Sequence, residues 1–263
     1  MSARICTLLS LATASLLPLL QVGCTQPDVN CTSAHGKFAA RFERKSGDAN
    51  QPCGQQVGDV LGMSTYYATG GINGTPKFDE PSVAIRAQHL YAYVYDTLYH
   101  PKSVFDTRKI DMEVGDPDAF GAFEGGVPDD EGFCAVPSVS KVSLTLPEVQ
   151  PTPDDPATPD KDETDPGQVA ADLAYEWSNI RFLVTADAQG TQFSADLKFT
   201  QDACTATYHV VGVYPATDCT GDPTICDDDA NGINPSFPTE CMAFSESESY
   251  CVLKGEPPAY DPA

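Results

Sequence analysis

A strict alternation of apolar and polar residues is the feature that most constrains how this chain can fold. In one stretch every second residue is apolar, namely Phe193, Ala195, Leu197 and Phe199. A period of two is typical of an antiparallel strand with one buried face. Strand-like apolar patterns also occur at residues 37–44, 110–114, 142–146, 175–185 and 205–214. The sequence therefore predicts an all-β fold, either an antiparallel β-sandwich or a barrel.

Three of these segments follow one another with very short connections, which predicts a meander of adjacent antiparallel strands. They are residues 175–185, 193–200 and 205–214. The first of them changes its apolar phase midway, and an extra residue in a strand shifts the phase in this way. We therefore expect a β-bulge near Ser178 and Asn179.

Residues 147–168 interrupt the pattern with prolines and acidic residues, a composition that cannot bury enough apolar surface to order itself. Such a segment is either a linker between domains or a loop. The cysteines decide between these alternatives, because three lie at residues 31–146 and five lie after residue 168. Full pairing of odd numbers requires at least one bridge across the segment. We therefore expect a single β domain at residues 31–263, with 147–168 as a disordered acidic, proline-rich loop.

The N-terminus is typical of an export signal, with one early charge at Arg4 and then an apolar run from Ile5 to Leu20. The run is followed by Val22-Gly23-Cys24, which resembles the lipobox of bacterial lipoproteins. In those proteins the cysteine becomes the new N-terminus and carries the lipid. The resemblance implies a lipoprotein signal peptide at residues 1–23, a lipidated Cys24 and a short polar tether at residues 24–30.

The cysteine count supports the same interpretation. Of ten cysteines, cleavage removes Cys6 and lipidation occupies Cys24, which leaves an even number for disulfides. These eight are Cys31, Cys53, Cys134, Cys204, Cys219, Cys226, Cys241 and Cys251. The alternative is ordinary signal cleavage after residue 14, which gives a soluble exported protein with a free Cys24.

Four of the cysteines lie in a tail at residues 215–263 that is rich in proline and aspartate and has few apolar residues to form strands. We expect this tail to be irregular backbone that two internal disulfides staple to the β domain. We expect the other four cysteines to form the bridges Cys31–Cys53 and Cys134–Cys204. Eight cysteines allow 105 pairings, so the residues alone leave the connectivity open.

The chain is strongly acidic, with 38 Asp and Glu residues against 15 Lys and Arg residues and a net charge of −23. Such a surface repels phosphate backbones, which excludes nucleic acid as a partner. It also repels anionic lipids, so the lipid has to do the anchoring. The sequence thus predicts contact with the membrane through the lipid anchor and no contact with nucleic acid.

One candidate binding face is a row of tyrosines that share one face of a strand, Tyr91, Tyr93, Tyr95 and Tyr99. Exposed rings in such a row stack on sugars or contact a protein partner, whereas rings on the inner face belong to the core. The chain has no catalytic motif, no metal-ligand spacing among its four histidines and no phosphate-binding glycine loop. We therefore assign no catalytic residue, no metal ligand and no cofactor.

Two function classes stay open. The first is a binding or structural module of the cell envelope with a protein or glycan partner. The second is an exported hydrolase that acts on glycans or peptides, because pairs of catalytic carboxylates meet only in three dimensions. A cleft with two convergent carboxylates would favour the hydrolase, and a closed surface with an exposed tyrosine row would favour the binding module.

An acidic turn in the tail, Asp227 to Gly232, resembles the beginning of an EF-hand calcium loop. Pro238 occupies the position where that loop needs a bidentate glutamate, so the match fails at its second half. The turn is either a site for a single Ca²⁺ or, as we expect, an Asx-rich turn whose side chains bond their own backbone.

Five stretches of the chain resemble uncharacterised lipoproteins of myxobacteria and related bacteria. They begin at Cys31, Gly132, Tyr175, Asp202 and Ile233 and read CTSAHGKFAA, GFCAVP, YEWSNIRF, DACTATY and INPSFPTEC. None of these motifs is a catalytic signature, so the resemblance implies an envelope lipoprotein and no particular ligand. Thr25, directly after the lipobox cysteine, is similar to the residue found there in lipoproteins of the outer membrane, which implies that location.

Overall fold

The computed structural model describes residues 29–70, 73–89, 116–146, 148 and 169–260. Its strands are β1 (Gly36–Ser46), β2 (Gly58–Gly70), β3 (Thr75–Ala87), β4 (Asp118–Ala122), β5 (Phe133–Ser138), β6 (Val142–Leu146), β7 (Ala171–Val184), β8 (Gln189–Gln201), β9 (Cys204–Val213), β10 (Thr239–Ala243) and β11 (Ser249–Leu253). Short 3-10 helices occur at Pro52–Gly54 and Pro223–Asp227. Within these described ranges, no helix has the length and apolar content needed to cross a bilayer.

Nine of the strands form one antiparallel sheet with the order β4-β3-β2-β1-β9-β8-β7-β5, and β6 also pairs with β7. The sheet curls until its two edges meet. Beside β4 and β5, the amide of Glu124 donates to the carbonyl of Ala135 at 2.9 Å, and the amide of Ser140 donates to the carbonyl of Phe120 at 2.8 Å. The all-β prediction is confirmed, and of the two architectures left open the chain adopts the barrel.

The predicted meander is formed by β7, β8 and β9, which pair in sequence order. The predicted bulge is also present, because the pairing register between β7 and β8 shifts between Ser178 and Arg181. Asn179 in the bulge has a φ of 51°, a left-handed conformation that asparagine tolerates better than most residues. The predicted segments 37–44 and 142–146 are β1 and β6, and segment 110–114 lies outside the described residues.

Apolar side chains from every strand of the barrel fill its interior in one cluster. Aromatic rings make up much of it: Phe38 contacts Phe193 edge-on with ring centroids 5.6 Å apart, and Tyr175 contacts Phe199 at 4.8 Å. The buried hydroxyl of Tyr208 donates to the carbonyl of Cys53 at 2.5 Å, which satisfies its polar group. The barrel is therefore a packed core, with its surface left for contacts with other molecules.

The tail covers part of the outer surface of the barrel. It contains the hairpin of β10 and β11, and its buried apolar side chains include Ile233, Phe237, Leu253 and Ala259. They pack in a second cluster against outward-facing side chains of the barrel, among them Leu183, Val211 and Val213. The disulfide-stapled tail was predicted correctly, but it is less irregular than expected, because it forms a hairpin and a hydrophobic layer of its own.

A buried glutamine joins the end of the tail to the barrel. The side-chain amide of Gln192, which is fully buried, donates to the carbonyl of Ala259 at 2.8 Å and accepts from its amide at 2.9 Å. On β1, the Arg41 guanidinium donates to the carbonyl of Leu253 at 3.0 Å. These bonds satisfy backbone groups of the tail that secondary structure alone would leave unpaired.

The structure joins the eight expected cysteines in the bridges Cys31–Cys134, Cys53–Cys204, Cys219–Cys241 and Cys226–Cys251. The two internal bridges of the tail agree with the prediction, and Cys53–Cys204 crosses residues 147–168 as the odd counts require. The predicted bridges Cys31–Cys53 and Cys134–Cys204 are wrong. Neighbours along the chain are separated here because β1 runs from one end of the barrel to the other between Cys31 and Cys53.

Candidate functional site

The structure tests few of the site residues that the sequence suggests. Cys24 and the tyrosine row Tyr91, Tyr93, Tyr95 and Tyr99 lie outside the described residues. Among the described cysteines, the sulfurs of Cys219, Cys226 and Cys251 lie within 4.8 Å of one another. Each of these sulfurs is already bound in a disulfide, so this group offers no thiolate to a metal ion.

The acidic turn of the tail uses its side chains to bond its own backbone. Asp228 Oδ1 accepts from the amide of Ala230 at 2.9 Å, and Asn231 Oδ1 accepts from the amide of Ile233 at 2.7 Å. Asn231 also donates through Nδ2 to the carbonyl of Ile225 at 3.1 Å. These are the Asx-turn contacts that the sequence favoured over a calcium loop.

A cleft of about 450 Å³ opens at the end of the barrel where β2 begins, and we call it the mouth cleft. Its lining includes Gln55, Asp59, His89, Gln201, Phe244 and Glu248. The first four come from the barrel and its loops, and the last two from the turn between β10 and β11. The described residues that line it include no lysine or arginine, so the cleft does not suit an anionic ligand.

Asp59 is the most unusual group in the mouth cleft. It lies on β2 in phase with the inward-facing Leu61 and Met63, and only 7% of its surface is exposed. Its Oδ1 accepts from the amide of Val60 at 2.7 Å and from the amide of His89 at 3.1 Å. Burial raises the pKa of Asp59 from its ordinary 3.8 to about 7, although the two amides act in the opposite direction.

Two further titratable side chains share the cleft with Asp59. Burial lowers the pKa of His89 and so favours the neutral form of its imidazole. The negative charge of Glu248 raises the pKa of Asp59 further and opposes the shift of His89. The cleft thus combines one carboxyl that holds its proton close to neutral pH with a second, exposed carboxylate.

The turn of the tail hairpin is held against β2 by a close contact. A Cβ atom at Gly58 would lie 2.5 Å from Cε1 of Phe244, so only glycine allows the Phe244 ring to approach β2 this closely. The Phe244 ring also packs on Tyr250, with ring centroids 5.2 Å apart. This packing fixes the segment that carries Glu248 on the rim of the mouth cleft.

A second surface lies on the outer side of β2, β3 and β4, and we call it the open face. It is a groove of about 370 Å³ between two exposed aromatic rings, Tyr66 on β2 and Phe120 on β4. The floor of the groove carries small side chains, Gly62, Ser64 and Ala84. One end of the groove is polar and consists of Lys37, Arg86 and Asp118.

Neither the mouth cleft nor the open face was predicted from the sequence. The one signal for Asp59 was its phase, because it shares the alternation of Leu61 and Met63 although it is charged. Glu248 and His89 stood among many acids and scattered histidines, and nothing in the sequence indicated that they meet. Tyr66 and Phe120 stand on strands that were not predicted, so the sequence did not indicate that these two rings lie on one surface.

Comparisons with known proteins give the family. A family model described as MlpA matches residues 36–215, which is more than half of the chain. The chain belongs to the MlpA family. The protein named "Putative lipoprotein MlpA" of Myxococcus xanthus is 33% identical over 93 residues, which cover 34% of this chain and 39% of the relative. The chain thus spans about two fifths of the length of that relative. No solved structure matches this chain.

The family relationship agrees with the lipoprotein resemblance seen in the sequence and supports an exported lipoprotein attached to a membrane of the cell envelope. The MlpA match begins at Gly36, the first residue of β1, and ends at Pro215, two residues after β9. It therefore coincides with the barrel. The open face lies entirely inside the match, whereas Phe244 and Glu248 of the mouth cleft belong to the tail outside it.

Proposed function

We propose that this MlpA-family protein is a lipid-anchored module of the outer membrane, exported by residues 1–23 and held by a lipid on Cys24. The observation that carries the proposal is the disulfide pattern. The four bridges use all eight cysteines between Cys31 and Cys251, which leaves Cys24 as the one cysteine of the processed chain without a disulfide partner. Thr25 supports the outer membrane as the location.

In this proposal, residues 31–263 form one domain that the tether holds close to the membrane. Cys31 follows Cys24 by seven positions, and an extended chain of that length spans at most about 25 Å. Cys31 is fixed to the barrel by its disulfide to Cys134 and by a 2.8 Å bond from its amide to the carbonyl of Gly126. This end carries the starts of β1 and β8, so the mouth cleft at the other end faces away from the bilayer.

Lipid attachment is tested by replacing Cys24 with serine in the full chain expressed in its own host. Metabolic labelling with an alkyne fatty acid should mark the wild type and leave Cys24→Ser unmarked, with a loss of the mature form from the membrane fraction. The matched control is Cys6→Ser, which removes the other unpaired cysteine and should leave labelling unchanged. A labelled Cys24→Ser variant would overturn the proposal.

The fatty-acid label is the deciding measurement, because the uncleaved apolar run of residues 5–20 could itself hold a variant at the membrane. Fractionation of outer and inner membranes then separates the two locations. A labelled protein in the inner membrane would keep the anchor and contradict the outer-membrane part of the proposal.

A hydrolase is the second candidate function, and the mouth cleft is the observation that favours it. Asp59 is a carboxyl with a pKa near neutral pH, and Glu248 is a carboxylate on the same cleft, which is the combination that acid–base catalysis uses. Against this role, Asp59 is almost fully buried and accepts two backbone hydrogen bonds, which is equally the geometry of a side chain that ties β2 to residue 89.

The two roles of the mouth cleft are separated by activity assays on the solubilised full chain. Fluorogenic glycosides and peptides serve as probes, and Glu248→Gln is compared with Glu246→Gln, an exposed acid of the same turn that does not line the cleft. Hydrolysis that Glu248→Gln abolishes and Glu246→Gln preserves would establish the hydrolase. Hydrolysis that both variants retain would exclude the mouth cleft as its site.

A further inference from the structure

The open face combines two exposed rings with a polar end on one rigid piece of sheet. The pairing register aligns Ser64 with Ala84 and Ala84 with Phe120, so the floor and the second ring lie side by side across β2, β3 and β4. Backbone hydrogen bonds between these strands fix the relative positions of the groups. A ligand would therefore meet a preformed surface.

The two rings are placed to hold an extended ligand. Tyr66 is 53% exposed and Phe120 is 50% exposed, although most aromatic side chains of the described barrel are buried. They stand on strands separated by β3 and are offset by two residues along the strands, so two inter-strand spacings and two residue rises place their Cα atoms about 12 Å apart. The small side chains of Ser64 and Ala84 leave the space between the rings open. Exposed rings of this kind present a flat apolar face to the C–H groups of a sugar.

The polar end of the groove supplies hydrogen-bonding groups in fixed positions. Arg86 binds Asp118 through two hydrogen bonds, Nε to Oδ1 and Nη2 to Oδ2, which holds both planar groups side by side on β3 and β4. Ser64 Oγ lies 2.8 Å from Nδ1 of His35. Arrays of hydroxyl, guanidinium and carboxylate groups match the hydroxyl groups of a sugar better than they match an apolar protein surface.

One lysine at the polar end of the groove is available to a negative charge on a ligand. Lys37 is exposed at the polar end of the groove, and its ammonium group makes no ion pair with the described residues. Lys254 also makes no ion pair with the described residues, and of these two lysines Lys37 is the one that lines the open face. A carboxylate on the ligand would complement it.

From these observations we propose that the open face binds an acidic glycan, with sugar rings stacked on Tyr66 and Phe120 and a uronate carboxylate at Lys37. The proposal gives the anchored module a ligand, and it rests on the proposed function only for the setting in the envelope. The net charge of −23 opposes the binding of any polyanion, a second copy of this chain included, so the local contact with Lys37 has to outweigh that repulsion.

The test is calorimetric titration of the detergent-solubilised full chain with oligogalacturonate, a neutral cello-oligosaccharide of equal length, and hexaglutamate. Oligogalacturonate should bind most tightly. Tyr66→Ala and Phe120→Ala should each weaken it about 3- to 10-fold. Lys37→Gln should weaken oligogalacturonate about 2- to 5-fold and leave the neutral sugar unchanged. Tyr260→Ala, which removes an exposed ring of the tail, is the matched control and should change nothing.

Several results would overturn the proposal. They are no binding of oligogalacturonate, binding that Tyr66→Ala and Phe120→Ala leave intact, or equal affinity for the neutral sugar. Binding of hexaglutamate alone would assign the surface to an acidic peptide. Because the titration is done in detergent, its failure leaves the lipid anchor untouched, and an unlabelled wild type would refute the anchor without affecting the titration.

Discussion

Two regions of the outer surface of the barrel differ in whether another part of the chain covers them. Over β9 the tail packs Ile233, Phe237 and Leu253 onto the sheet, so Val211 and Val213 are fully buried on the outside of the barrel. Over β2, β3 and β4 no described segment is packed on the rings of Tyr66 and Phe120, which are about half exposed. One barrel thus has a covered face and an open face.

The side chains of the strands explain this difference. The end of β9 reads Val210-Val211-Gly212-Val213 and is buried on both faces, so it needs an outer layer to keep its apolar surface from water. The outward positions of β2 and β3 carry Gly62, Ser64 and Ala84, which expose little apolar surface when uncovered. The open face therefore exposes little apolar surface besides the rings of Tyr66 and Phe120.

The disulfides also divide into a barrel pair and a tail pair. Cys31–Cys134 and Cys53–Cys204 connect parts of the barrel over sequence separations of 103 and 151 residues. Cys219–Cys241 and Cys226–Cys251 stay inside the tail, with separations of 22 and 25 residues. The longer loops restrict the unfolded chain more, so the barrel bridges should contribute more to stability than the tail bridges.

Removing a barrel bridge should have the largest effect. Cys53→Ala with Cys204→Ala should lower the free energy of unfolding by about 5 kcal/mol, because a loop of that length is released in the unfolded chain. The tail pair Cys219→Ala with Cys241→Ala is the control and should lower it by about 3 kcal/mol. Denaturant titration measures both variants. A larger loss for the tail pair would show that the tail layer, rather than the closed barrel, limits stability.

The folding stability of the protein should depend on pH through Asp59, which lies in the mouth cleft. Its pKa rises from 3.8 in the unfolded chain to about 7 in the fold, so the protonated form is favoured by folding. Stability from this group is complete below pH 4 and is lost as the pH rises through 7, by up to about 4 kcal/mol at ~1.4 kcal/mol per pH unit.

The measurement is thermal unfolding of wild type and Asp59→Asn between pH 4 and 8. The stability of Asp59→Asn relative to the wild type should rise as the pH increases across this range. Asparagine keeps an acceptor for the Val60 amide and does not ionise. The opposite contribution of His89, which is lost as the pH falls below 6.5, is present in both proteins and cancels in the difference. Parallel curves would mean that Asp59 is ionised in the fold throughout.

On the covered face, a single buried side chain should be costly to truncate. Leu253 is fully buried in the layer between tail and barrel, so Leu253→Ala should lower the free energy of unfolding by about 3 kcal/mol through lost burial and a residual cavity. Limited proteolysis should then cut the tail before the barrel. A loss below about 1 kcal/mol would show that the tail layer is loosely attached and that the two faces differ less than their burial indicates.

The strands of the two faces also differ in how well the sequence predicts them. β7, β8 and β9 alternate regularly, and the bulge at Asn179 was visible as a change of phase. β2 was missed because glycines and small polar residues occupy its outward positions. β3 was missed because Pro76 and Pro81 resemble strand breakers, and Pro81 is tolerated where the register with β2 shifts after Tyr67.

The site could not be predicted for a different physical reason. Asp59 and His89 meet because β2 pairs with β3, and Glu248 joins them because the tail hairpin folds back over Gly58. The prediction paired Cys53 with Cys31 instead of Cys204 for the same reason, because adjacency of β1 and β9 in the barrel decides the pairing rather than adjacency in sequence. Local patterns determine strands, whereas contacts between distant segments determine the site.

The open face should tolerate the loss of its rings, which is the smallest expected effect. Phe120→Thr keeps a residue suited to strands and removes a ring that is already half in water, so the free energy of unfolding should fall by less than about 1 kcal/mol. Tyr66→Thr should behave alike, and Leu253→Ala measured in parallel gives the scale of a buried side chain. A loss above about 2 kcal/mol for Phe120→Thr would show that the ring is part of the core. That result would contradict the proposal that the open face is a binding surface. A small loss would mean that the exposed rings contribute little to folding, so that any weakening of glycan binding in these variants reports on the contact itself.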